Sequence, residues 1–169
     1  MTATTMNTIA NKKPGRAVVT RVSDREIRIE RFFQAKRERV WKAMTDPSQL
    51  AQWWGRGNKV VVEKYELVRG GHWRFVEHPA DGGAYGFEGR FAEIEPQSKI
   101  VQTFEYDGTP GHVALETMTL EDLGDRTKLV VHSIFMTKAD LDGMMESGME
   151  TGMNQSYEAL DRLLERADA

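Results

Sequence analysis

Among the side chains able to move a proton or hold a ligand, Glu116 stands out by position. It interrupts the run HVALETMTL, residues 112–120, and shares a period-two face with Ala114, Met118 and Leu120. A carboxylate placed there must be paired, solvated or functional, because burying it alone is costly. On a concave face it would sit in an apolar cavity with a raised pKa, suited to act as a general base or to anchor a ligand. On a convex face it would be an ordinary exposed glutamate, with cross-strand partners such as Lys99 or Arg126. His112, just after the Pro110-Gly111 turn, is the second candidate acid or base, provided that it faces the mouth of such a cavity. Tyr106 and Tyr157 could each orient a polar ligand group through the phenol, or simply close a core.

Other chemistries find little support. The histidines, His72, His78, His112 and His132, form no local pair at metal-ligand spacing, and there is no cysteine, so neither a metal site nor a disulfide framework is expected. No nucleophile elbow, HExxH helix, phosphate-binding loop or dinucleotide fingerprint occurs, which disfavours nucleophilic and phosphoryl chemistry and leaves no cofactor to expect. Net charge is −3, with basic residues scattered among acidic ones, so nucleic acid is an unlikely class of partner. Apolar runs are too short for membrane insertion, and a cysteine-free chain suits the cytoplasm. Residues 1–22 read as a loosely ordered tail without a secretory h-region, and residues 23–167 as a single domain, expected as a monomer or homodimer.

The elements that position these residues follow from periodicity. REIRIERFF, residues 25–33, alternates as a half-buried strand, with Ile27, Ile29 and then Phe32 or Phe33 on one face. A short helix over 36–44 lacks a strong N-cap. A second restarts at Asp46 (N-cap) and Pro47 (N1) and ends near Trp54. Gly55 and Gly57 stop it. From Lys59 six strands follow, divided by turns at Gly70-Gly71, at 79–83, at 95–98, at 107–111 and at 123–125. Such short connections require antiparallel neighbours. The spacing therefore predicts an α+β fold, a curved seven-stranded antiparallel sheet with two short helices and one long C-terminal helix.

That helix is expected over 137–167, with Thr137 as N-cap, Asp140 completing a capping-box variant, and Met136 and Leu141 as a hydrophobic staple. At ~1.5 Å per residue it would run about 45 Å and cross the whole sheet. Its apolar face changes character along its length. Leu160, Leu163 and Leu164 are core material, whereas Met145, Met149 and Met153 alternate with Gly148 and Gly152. Glycine costs about 1 kcal/mol in a helix interior, which close backbone approach or a methionine-lined cavity would explain. A curved sheet cannot touch a straight helix everywhere, so a gap is expected beside the glycine- and methionine-rich part. Across from it, Phe75, Phe87 and Phe104 are strand aromatics that could line the same space, with Tyr106, Met118 and Glu116. Of Trp53 and Trp54, about 100° apart on a helix, one should face inward, and Trp54 is taken as a cavity wall.

Taken together, RFFQAKRERVWKAMTDPSQLAQWW, GGHWRF, DGGAYGFEGRFAEIEP, KIVQTFEYDGTPGHVALETMTL, DRTKLVVHSIF and ESGMETGMNQSYEALDRLLE resemble the activator-of-Hsp90-ATPase-like branch of the START / Bet v 1-like (SRPBCC) superfamily, from about Ile27 to Leu164. Lys36 stands where that family usually has proline. The resemblance implies a helix-grip fold whose cavity between sheet and C-terminal helix accepts apolar molecules, with the segment from Met144 to Met153 expected as pocket wall and that from Leu160 to Leu164 as clamp. It leads to a partner that is a small apolar or amphipathic molecule, bound without assured catalysis. A cyclase or dehydratase using the same cavity through Glu116, His112 or a tyrosine is the first alternative. An Hsp90-type co-chaperone acting through its surface is the second, and rests on the family alone.

Overall fold

Alternation builds a sheet here because one side of every strand has something to bury. The computed structural model describes residues 15–166, and in it the strands are β1 (Val18–Ser23), β2 (Glu26–Phe33), β3 (Lys59–Tyr65), β4 (His72–His78), β5 (Tyr85–Glu95), β6 (Lys99–Tyr106), β7 (Val113–Asp122) and β8 (Thr127–Ile134). The helices are α1 (Arg37–Thr45), α2 (Pro47–Trp53), α3 (Lys138–Glu146) and α4 (Met149–Glu165). All strands join one antiparallel sheet in the order β1-β2-β8-β7-β6-β5-β4-β3. Register breaks at Arg21/Ser23, Val62/Lys64 and Phe91/Glu93 add local twist. The concave side takes α1, α2 and α4. Among the described residues no helix is long and apolar enough to cross a membrane.

The sheet has eight strands where seven were expected. Residues 18–22, read as tail, form β1 against β2. β1 is an edge strand whose Val18 and Val22 stay exposed, so it lacks the buried face that makes a strand legible. It is fastened at its start by Ala17, buried, whose N–H donates to Asn154 Oδ1 of α4 at 2.9 Å. Residues 1–14 of the expected tail and the end of the expected domain and helix at 167 lie outside the described residues.

The C-terminal helix is two helices. Thr137 caps α3 as expected, accepting from the Asp140 N–H at 3.1 Å. Of the two residues expected as staple, Leu141 is fully buried and Met136 is 55% exposed. α3 ends at Ser147, whose N–H and hydroxyl both donate to the Met144 carbonyl, and Gly148 follows at φ +81°. This is the left-handed residue after a helix C-cap that glycine adopts without a Cβ penalty. α4 starts afresh there and is 17 residues long, about 25 Å, rather than about 45 Å. Leu160, Leu163 and Leu164 are buried and hold α4 down, at about 2 kcal/mol of burial each. Gly152 has a different use: a Cβ there would collide with Arg56 Cδ, which lies across it.

α2 begins as read, with Asp46 accepting from the Ser48 N–H at 2.9 Å and Pro47 in its first turn. α1 has no side-chain cap at Lys36.

Candidate functional site

The register carries Glu116 to the concave side. Ala114 and Leu120, its neighbours on the same face of β7, are core residues. Its cross-strand partners are Gln102 on β6 and Ser133 on β8, not Lys99 or Arg126, so the convex alternative is corrected. Gln102 Nε2 donates to Glu116 Oε1 at 3.5 Å, and Ser133 lies opposite on β8, where its hydroxyl favours the charged carboxylate. Burial raises the carboxyl from its ordinary 4.5 to about 7, against the pull of those two neighbours. The residue is half-buried, in surroundings that disfavour its charged form. Tyr157 of α4 is buried; its phenol is pushed up first by burial and then by the Glu116 charge, with Arg31 opposing.

The expected aromatic residues meet. The Trp54 ring lies 5.1 Å from both Phe75 and Phe87 in edge-on contacts, and Phe87 is 5.6 Å from Phe104 and 5.2 Å from Tyr106. Phe104 sits opposite Ala114, one step along β7 from Glu116, so the array runs up to the carboxylate. Phe75 is buried, and Trp54, Phe87, Phe104 and Tyr106 are half-buried. Met118, Met145, Met149 and Met153 are likewise half-buried and packed on the core. Gly89 keeps the array flat: a Cβ there would overlap the Thr103 carbonyl and the Trp73 indole, which donates to that carbonyl at 3.2 Å.

Both tryptophans face inward, where one was expected. Trp53 is buried, donates from Nε1 to the Ala43 carbonyl at 2.9 Å and stacks 6.3 Å from Tyr157. Trp54 is the C-cap of α2 with extended backbone, so the helical 100° offset no longer applies to it. His112 stays apart from the interior: it is 58% exposed and its Nδ1 lies 2.6 Å from Asp140 Oδ1 at the start of α3. It is four residues from Glu116, about 13 Å of extended chain, so the two candidate acid-base groups do not converge.

Several interior polar residues escaped the sequence reading. Arg31, its side chain 2% exposed, forms a bidentate pair with Asp161 at 2.7 and 2.6 Å, donates to the Phe32 carbonyl, and lies 4.7 Å over the Phe33 ring. Strict alternation from Ile27 through Ile29 points to Arg31 and Phe33, so the signal was present. Glu77 is buried and accepts from Arg56 Nη2 at 2.8 Å, from Arg56 Nε and from Asn58. Gln102 and Ser133 are legible only as the alternation partners of Ile100 and Val131. Asn154 lies just off the apolar face of α4, and no pattern marks it.

Two open surface depressions accompany the site. One, about 440 Å³, is lined by Arg56, Asn58, Gly148, Thr151, Gly152 and Gln155 at the break between α3 and α4. The other, about 570 Å³, lies beyond β3 around Leu67, Val68 and Ile94. The expected ligand residues line neither.

Comparisons with known proteins agree with this architecture. The sequence profile of the activator of Hsp90 ATPase homolog 1-like proteins matches residues 34–165. A crystal structure of a Rhodobacter sphaeroides protein superposes with a TM-score of 0.82 at 27% identity, covering 89% of this chain and 99% of that one. The solution structure of an Arthrobacter aurescens protein gives 0.80 at 28% identity over 88% of this chain and 91% of its own. A Chromobacterium violaceum protein gives 0.74 at 28% identity, covering 85% and 99%. The search of curated proteins found no match.

Proposed function

The chain belongs to the activator of Hsp90 ATPase homolog 1-like family, and from that premise we propose that it binds a small amphipathic molecule between the concave face of its sheet and α4. One observation carries this: Glu116, half-buried on the face of β7 that also holds the core residues Ala114 and Leu120, meets a neutral donor and no cation among its described partners. On this proposal the accessible part of Glu116 borders the ligand's space between sheet and α4. Half-buried aromatic rings on the sheet and half-buried methionines on α3 and α4 pack against the same core, and methionine side chains re-pack readily around an apolar guest. The ligand's apolar body would lie on the Phe104–Phe87–Trp54 array and its polar end at Glu116.

The test is binding of the neutral fluorophore N-phenyl-1-naphthylamine. Saturable uptake at one molecule per chain, abolished by Phe87→Asp and by Met149→Arg, is the expected result. Non-saturating uptake, or uptake that neither substitution changes, would count against the proposal.

A proton-transfer enzyme using the same space is supported by one further feature: the buried Tyr157 phenol, raised first by burial, is raised further by the charge of Glu116. A carboxyl titrating near 7 can both take and return a proton at neutral pH. On this proposal the protein would exchange the α-protons of 4-phenyl-2-butanone in D₂O faster than Glu116→Gln does. Equal exchange rates would remove it.

A further inference from the structure

The charged side chains on the concave face are not equally matched. Arg31 is charge-paired with Asp161 and donates to the Phe32 carbonyl, with only its buried Nε lacking a partner, and Glu77 is paired with Arg56 and Asn58. Glu116 accepts from the Gln102 amide at 3.5 Å and has the Ser133 hydroxyl as its cross-strand neighbour on β8. Both are donors, so a further donor completes the coordination of its oxygens, while an acceptor brought to the same place would face an acceptor. A neutral shell also leaves the carboxylate's charge uncompensated in a poorly solvated place, and a cation is the group that gains most there. The adjoining surface favours the same sign. From Glu116 the interior continues over Phe104, Phe87 and Trp54, with ring centroids 5.6 and 5.1 Å apart, and the faces of aromatic rings attract cations.

We propose that the ligand of this site is an amphipathic amine, its ammonium group paired with Glu116 and its apolar or aryl body laid along Phe104, Phe87 and Trp54. Two inter-strand spacings, from β7 to β5, set the length of that body at about 10 Å. This rests on the concave face being the binding site, and it adds the chemical class of the guest. A carboxylic acid of the same length would be repelled by Glu116. The matching alcohol would make a hydrogen bond and leave the charge alone.

The experiment is calorimetric titration of the full chain at about pH 8 with three probes of matched length: 4-phenylbutylamine, 4-phenylbutan-1-ol and 4-phenylbutyrate. The expected order is amine, then alcohol, then acid, with the amine about ten-fold tighter than the alcohol, as one charge-assisted contact supplies. Glu116→Gln should bring amine and alcohol together, and Glu116→Asp, which keeps the charge, should preserve the preference. If the alcohol or the acid binds as tightly as the amine, the amine class is wrong and the binding site stands. If Glu116→Gln keeps the amine preference, Glu116 is not the counter-ion. If none of the probes binds, both this proposal and the site itself are overturned. The wild-type comparison decides the question even where a variant fails to fold.

Discussion

Glu116→Gln should make the ligand-free protein more stable at alkaline pH, which is unusual for a change at a buried hydrogen-bonded position. Burial raises the folded-state pKa of Glu116 from 4.5 to about 7. Between those values the folded state holds more protons at this residue than the unfolded state, so unfolding free energy falls as pH rises through the window and levels off above it. A displacement of about 2.5 units corresponds to about 3.4 kcal/mol at most. Partial accessibility of the side chain lowers this to about 2 kcal/mol. Glutamine keeps the shape and the contacts with Gln102 and Ser133 without the charge. Urea denaturation of both proteins from pH 4 to pH 9 measures the difference, and titrating groups common to both cancel. The variant should match the wild type near pH 4 and exceed it by about 2 kcal/mol at pH 8 and above. A variant equally or less stable at pH 8, or a difference independent of pH, would refute the interior placement of an uncompensated carboxylate.

Three further outcomes follow from particular contacts. Gly148→Ala should lower stability by about 1 kcal/mol, a fall of a few degrees in Tm, because alanine resists the left-handed conformation; one unbroken helix would instead gain about that much. Arg31→Met should cost about 3 kcal/mol in chemical denaturation by stranding Asp161, and adding Asp161→Asn should recover part of it; strictly additive losses would show that the pair is not coupled. Gly152→Ala should cost about 1–2 kcal/mol by pushing Arg56 away from Glu77, and much less in an Arg56→Ala background; the same cost in both backgrounds would mean that the collision is elsewhere.

The meander from Lys59 to Ile134 was legible because each of its strands has one buried face and each connection carries a turn signal. β1 was not, since an exposed edge strand has no alternation to display. The single long helix was a reasonable extrapolation from a well-marked start at Thr137 and an apolar face that continues to Leu164, but Gly143, Gly148 and Gly152 are indistinguishable as letters. One is left-handed, one lies beneath an arginine stem, and one has open space around its Cβ position. For the site, the period of two grouped Glu116 with Ala114, Met118 and Leu120, and could not say which face was concave. That depends on register with β6 and β8, a relation between residues more than ten positions apart. Arg31 shows another limit: the alternation of Ile27 and Ile29 runs through it to Phe33, but a charged letter carries no sign of the partner that lets it be buried. Asp161, which makes that placement tolerable, lies on another element altogether.

The most direct test of a ligand site between sheet and helix uses the nine methionines of the chain. In protein labelled with ¹³C at the methionine methyl groups, adding 4-phenylbutylamine should shift the resonances of Met118, Met145, Met149 and Met153, while exposed Met136 and buried Met44 stay in place. Shifts confined to Met136, or none at saturating probe, would contradict the account.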